Sequence, residues 1–192
     1  NFIGWKPGAL FSPDIKQAAE VQAYLSNTSV SVDGALNLKA DGVQSIDSLV
    51  VAGSVAVAGS GQTALGGSAA GVSAVNRIPT KIGTYIDASP IGLSVGEITL
   101  DANDRSQILS KAAGASLAGA FSGQNAGALS IAVSLSFNHI SNEVSAYIAN
   151  VTDLASAGDI SIQVNEMSII DALSVAASLS AAGSSNIGAA IS

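Results

Sequence analysis

The chain has 192 residues, with seven Lys+Arg against fourteen Asp+Glu (net charge −7), 48 % hydrophobic and 11 % charged residues, and no cysteine. No basic cluster is available to meet a phosphate backbone, so nucleic acid is not an expected partner. Disulfides and thiolate metal sites are excluded, and disorder is not expected of a chain so rich in Val, Ile and Leu.

The first twenty residues read as a cap or linker. Phe2, Trp5 and Phe11 form an apolar cluster that either lies under a capping helix or offers a docking surface to a neighbouring subunit. Ser12-Pro13-Asp14 is a helix start: Ser caps, Pro suits the first turn and Asp complements the helix dipole. The following IKQAAE places Ile15, Ala18 and Ala19 on one helical face. No basic-then-apolar leader opens the chain at Asn1, as expected of a processed chain or of a piece of a longer one.

From Val21 the sequence repeats itself. VQAYLSNTSVSVDGALNL, IGTYIDASPIGLSVGEITL and VSAYIANVTDLASAGDISIQV begin at Val21, Ile82 and Val144, and carry Tyr24, Tyr85 and Tyr147. Gly34, Gly96 and Gly158 recur 62 residues apart, while the tyrosines are 61 and 62 apart, so the turn between them tolerates an insertion. The segments of interest are thus residues 21–81, 82–143 and 144–192.

Within each repeat the period is two. In ALSIAVSLSFN, Leu129, Ile131, Val133, Leu135 and Phe137 alternate with Ala or Ser, as in a strand with one buried face. EITLDA and DISIQV alternate likewise. Turns are expected at Asp33-Gly34, Ala40-Asp41-Gly42, Ser89-Pro90, Ser122–Asn125 and Gly183–Asn186. Because 62 is even, the same face points inward in every copy. Leu49, Val51, Val55, Val57, Leu109, Leu117, Phe121, Leu173, Val175 and Leu179 are expected to supply that aliphatic face, leaving Ser, Ala and Gly on a flat outer one. The uncharged stretches Ser48–Asn76 and Ala112–Asn142 are long enough for a membrane span, but Gly, Ser, Asn and Gln interrupt both. They read as strands, with no membrane span expected.

Short strands and a fixed repeat predict an all-β fold: a parallel β-solenoid (β-helix) of about three 62-residue repeats, with a short N-terminal capping helix. Three coils of about twenty residues per repeat fit typical strand and turn lengths. On that count the tyrosines share a face without stacking.

The strings AYIANVT, AGDISIQV and GALSIAVSLSFNHIS resemble the repeat region of large bacterial filamentous-haemagglutinin-like surface adhesins, and the resemblance runs from Val21 to Ser192. It implies an exported β-helical shaft at the cell surface, without a cofactor and without a catalytic residue to carry over.

Candidates for chemistry are sparse. His139, the one histidine, aligns with Arg77 and has Asn138 and Asn142 nearby, which reads as a solvent-facing turn residue. Asp33, Asp41, Asp47, Glu97, Asp101, Asp104, Asp159 and Glu166 sit at expected turns or strand starts, without the GGxGxD-type calcium signature. Asp101 and Asp104 are the acid pair close enough to attempt sugar cleavage. Asn76 and Asn138 read as buried amides ending equivalent strands, and Asn27-Thr28-Ser29 and Asn150-Val151-Thr152 as exposed turns matching the glycosylation sequon.

No metal or catalytic site is expected. The reading is a structural, extracellular solenoid segment that associates with copies of itself, laterally through the flat small-residue face or end to end beyond Ile187–Ser192. Cell-surface polysaccharide is the alternative partner, bound or cleaved. Ice adsorption would want threonine ranks, and a membrane β-barrel would want aromatic girdles.

Overall fold

A computed structural model of the chain describes residues 18–89 and 92–192, and these form strands joined by short turns, with no helix among them. In chain order the strands are β1 (Ala19–Ser26), β2 (Val30–Ser31), β3 (Ala35–Ser60), β4 (Thr63–Ser89), β5 (Leu93–Val95), β6 (Glu97–Ser122), β7 (Asn125–Val151), β8 (Leu154–Ser156), β9 (Ile160–Gly183) and β10 (Ile187–Ile191). They assemble into three parallel sheets, ordered β1-β4-β7-β10, β2-β5-β8 and β3-β6-β9. Three successive strands complete a coil, and the next three add to the same three sheets. The fold is a parallel β-solenoid.

Each coil consumes a whole repeat. Tyr24 pairs directly with Tyr85 and Ile187 with Asn125, so equivalent residues lie one layer apart. This corrects the expectation of three coils per repeat. A coil of this length does not need a wide core, because its strands of 26 and 27 residues run out, turn at Gly61-Gln62, and return facing themselves. The length difference between copies is absorbed around the shortest strands, where Val30 pairs with Leu93 and Leu93 with Leu154.

The expected capping helix falls mainly on residues outside those described, as do Phe2, Trp5, Phe11 and Pro90. Its last two residues do not belong to a helix: Ala19 and Glu20 lie in β1, paired with Thr80 and Lys81. Ladder hydrogen bonds to β4 outweigh their helix propensity, and the sheet begins two residues before Val21. Ala40-Asp41-Gly42 is likewise not a turn but mid-β3. Gly42 is needed there for space, because a Cβ at this inward position would overlap the side chain of Ile82.

The chain divides into two compact units. Unit 1 comprises the residues up to Ile46, Arg77–Ile108 and His139–Ile170; unit 2 comprises Asp47–Asn76, Leu109–Asn138 and Asp171–Ser192. Even-numbered residues of the long strands point inward in both, as the even repeat requires. In unit 1 that inward face is aliphatic: Ile86, Leu93, Val95, Ile98 and Leu100 form one cluster, and Ile46, Ile78 and Ile108 another.

Unit 2 reverses the expectation. Its inward face is mainly Ser and Ala: Ala64, Ala118, Ala120, Ala126 and Ala128 cluster, Val72 packs with Ala74 and Ala112, and Ser48, Ser110, Ser116 and Ser130 are buried. Leu49, Val51, Val55 and Val57 point outward at 67–71 % exposure. The small residues go inside because the two facing layers approach closely enough for hydroxyls to meet: Ser54 and Ser68 Oγ are 2.7 Å apart, and Ser130 donates to Ser116 at 2.8 Å. Leucine would not fit between them.

The repeated glycine has a steric cause. Gly96 N–H donates to Gly34 O at 2.9 Å and Gly158 N–H to Gly96 O, and a Cβ on Gly96 would stand 2.6 Å from Asp33 O. Backbone cannot retreat as a flexible side chain can. We therefore expect Gly96→Ala to lower unfolding stability by about 1–3 kcal/mol, whereas Gly71→Ala, with open space around its Cβ, is neutral or mildly stabilising. Urea unfolding of both variants checks this, and equal midpoints would count against the steric account.

Candidate functional site

Polar chemistry concentrates in unit 1, on columns repeated once per coil. On the outward face, Lys39 Nζ lies 3.3 Å from Asp41 and 3.7 Å from Asp101 one coil away, and Lys81 lies 3.2 Å from Glu143. Asn165 donates to Asn103 and Asn103 to Asp41, both at 2.9 Å. Together Lys39, Asp41, Asp101, Asn103 and Arg105 line a shallow depression of about 420 Å³. The Asn103 amide, with the Lys39 ammonium, holds the Asp41 carboxyl below its usual 3.8. These pairs tie one coil to the next in water, where each contributes modestly.

A second outward column is aromatic. Tyr24, Tyr85 and Tyr147 stack with centroids 4.9 and 5.1 Å apart and planes within 5°. The expectation that they do not stack fails with the coil count. Burial between its neighbours, followed by their charge on ionisation, raises the pKa of the central Tyr85 above the ordinary 10.0. Tyr85 has both ring faces covered by its neighbours, while Tyr24 and Tyr147, at the ends of the column, are each stacked on one face.

The inward polar node of unit 1 is Asp104, only 1 % exposed. Ser106 Oγ donates to its carboxylate at 2.9 Å, Asn142 Nδ2 donates to the same oxygen, and Ser106 also reaches Gln44 Oε1 at 3.1 Å. A buried carboxyl group is tolerated here because donors converge on it. Asp101 occupies the opposite face of β6, as an odd position must, so the two acids cannot flank one glycosidic bond.

Other candidates separate too. His139 is exposed, as expected, but stands in β7 and not in a turn. Asn76 is buried as expected, yet sits within β4: its Nδ2 lies 3.0 Å from Ser48 Oγ, 3.0 Å from Ser110 Oγ and 2.8 Å from Asn138 Oδ1. Asn27 and Asn150 adopt φ of 52° and 53°, the left-handed region that Asn tolerates, and both are exposed. The Asn150 amide is engaged with Asp87 at 2.8 Å. Asp41 and Asp47 lie within β3, not at its ends, whereas Asp33 and Asp159 do occupy turns. Among the described residues no group of three His, Cys, Asp or Glu could hold a metal ion, and no helix is long and apolar enough to cross a membrane.

The feature that sequence reasoning placed on the wrong side is the aliphatic face of unit 2. Leu65, Leu129, Ile131, Val133, Leu135 and Phe137 are exposed on the strands facing β3, β6 and β9, just as Leu49–Val57 are exposed on β3. The small-residue face expected to mediate lateral association is the interior. The signal was available: aliphatic residues are even-numbered in EITLDA and odd-numbered from Leu49 onward, so the hydrophobic stripe changes sides along one strand.

For Asp41 the sign is that of a depressed acid: its contribution to stability is present above pH 3.8 and is lost as pH falls through the lower folded value. Carboxyl carbon NMR should show Asp41 titrating below 3.8, and Asn103→Ala should move it back up. An unchanged midpoint in the variant would remove Asn103 as the cause.

Comparison with protein-family models, with curated proteins and with solved structures found no match to this chain.

Proposed function

We propose that this chain is a structural segment: a length of β-solenoid in an extracellular, adhesin-like cell-surface protein, meeting copies of itself coil on coil. The observation that carries the reading is self-complementarity at a spacing of one coil. Tyr24, Tyr85 and Tyr147 stack, Asn103 bonds Asn165, and Ser48 bonds Ser110, so each coil is a template for another with the same sequence. A solenoid edge of this kind presents unpaired N–H and C=O groups together with side chains suited to a copy of themselves. The resemblance of AYIANVT and GALSIAVSLSFNHIS to adhesin repeats supports the cell-surface placement.

A cell-surface polysaccharide is the second reading. The amide and carboxylate column of Asp41, Asn103 and Asn165 repeats at coil spacing along the outward face of unit 1 and offers a polymer donors and acceptors in a row.

Electron cryomicroscopy of the chain at physiological salt tests the first reading. Filaments with an axial repeat of about 4.8 Å are expected, lengthening with protein concentration. Discrete particles of single-chain mass at every concentration would overturn coil-on-coil association. Retention on immobilised surface polysaccharide, lost in Asn103→Ala, would then favour the second reading.

A further inference from the structure

Unit 2 carries its larger aliphatic residues on the outside. Its interior combines small apolar clusters, Ala64 with Ala118, Ala120, Ala126 and Ala128, and Val72 with Ala74 and Ala112, with hydroxyls and amides that bond one another: Ser116 lies 3.0 Å from Ser68 and 2.8 Å from Ser130, Ser110 lies 2.8 Å from Ser136, and Asn76 joins Ser48 to Asn138. Its exterior is aliphatic on both sides: Leu49–Val57, Leu117 and Phe121 on one, Leu65 and Leu129–Phe137 on the other. Exposed apolar area on this scale marks a surface that is covered in use.

Three observations select the cover. First, the two apolar faces are opposite, so a single partner copy covers one and leaves the other wet. Second, charge is confined to one end: Asp47, Lys111 and Asp171 are the charged residues of unit 2, each within three residues of the start of its segment. The turns at the other end, Gly61-Gln62, Gly123-Gln124 and Ser184-Ser185-Asn186, are polar but uncharged. Third, Leu49–Val57 and Leu129–Phe137 each span eight residue steps, about 26 Å at the usual strand rise of about 3.3 Å. The hydrocarbon layer of a bilayer is about 30 Å thick, and the outward apolar band of membrane β-barrels about 25 Å.

We infer that unit 2 is a lipid-facing module: its two outward aliphatic faces lie in the hydrocarbon of a bilayer, entered turns first, with Asp47, Lys111 and Asp171 stopping at the water boundary. Phe121 lies one outward position nearer the turns than the column of Val57, and Lys111 stands level with Leu49 at the charged end. Inside, Ser54, Ser68, Ser110, Ser116, Ser130, Ser136 and Asn76 bond one another, while Ser184 Oγ is buried with no partner. Free strand edges are costly in hydrocarbon, so the inference rests on the coil-on-coil reading above, which closes them.

The absence of cysteine makes the test clean. Single cysteines at Val55, Val133 and, in unit 1, Asp159 carry an environment-sensitive fluorophore in the otherwise intact chain. Each labelled chain is mixed with phosphatidylcholine–phosphatidylglycerol vesicles, with and without nitroxides at the bilayer centre. The Val55 and Val133 probes should shift to the blue, be quenched by the nitroxides and lose most of their accessibility to aqueous iodide, while the Asp159 probe does none of these. Ile131→Asp with Val133→Asp, both outward and so compatible with folding, should cut the vesicle-bound fraction at least tenfold with an unchanged circular dichroism spectrum.

Val55 and Val133 probes that stay accessible to iodide with vesicles present would overturn the inference. So would probes already shielded before vesicles are added, because a second copy then covers the faces. A failure of coil-on-coil association shows separately, as the missing 4.8 Å repeat, whatever the probes report.

Discussion

Parallel pairing sets every strand residue about 4.8 Å from its equivalent one coil away, so each side chain must tolerate a copy of its own column. That constraint shapes this molecule more than any single contact. Tyrosine meets it by stacking, and asparagine by passing an amide hydrogen bond along the column, as Asn76 does to Asn138 and Asn165 to Asn103. Glycine meets it by having no Cβ to place against the carbonyl beneath, as at Gly96. Charged columns meet it by alternating sign: Lys39 stands over Asp101, and Lys81 between Glu20 and Glu143. Where two acids share an inward column, Asp104 and Glu166, local donors answer them: Ser106 and Asn142 for the first, Ser168 for the second.

The same register accounts for two kinds of interior on one set of strands. In unit 1, isoleucine and leucine fill the inward positions, and burial of apolar area drives packing in the ordinary way. In unit 2 the inward positions hold mainly serine and alanine, with Val72 among them, so burial yields less, and hydroxyl pairs between strands facing each other add to it. A hydrogen bond of this kind is worth only about 0.5–1.5 kcal/mol net. Its advantage is geometric, since a layer of hydroxyls is thinner than a layer of leucines. The aliphatic residues left outside are the counterpart of that choice.

Much of this was legible in the sequence. The repeat, taken with the period-two alternation of its strands and the turn signals between them, predicted the solenoid, and the even period fixed the faces from copy to copy. The number of coils per repeat was not legible. Sequence spacing cannot distinguish one long coil from three short ones until strand lengths are known, and typical strands are far shorter than β3 or β4. The sequence reading kept Asp101 and Asp104 together, although residues three apart on a strand point to opposite faces, and their shared strand separates them. The Asp104 cluster was not foreseeable, because Asn142 and Gln44 come to it from other strands and from another coil.

The inversion of unit 2 shows where a general rule failed. Alternation identifies two faces of a strand and says nothing about which is buried; the usual assignment of the aliphatic face to the core assumes water outside. Along β6 the backbone keeps its register while aliphatic residues move from Ile98, Leu100 and Ile108, inward, to Leu117 and Phe121, outward. A bulge would have restored the ordinary pattern by shifting the strand one residue, and the burial of β6 alternates without one. The sequence therefore maintains two opposite solvent assignments on a continuous strand. The outward valines and leucines of unit 2 meet only their equivalents in neighbouring coils, as Val55, Leu117 and Leu179 do, and leave an apolar surface where a strand facing water would carry polar residues.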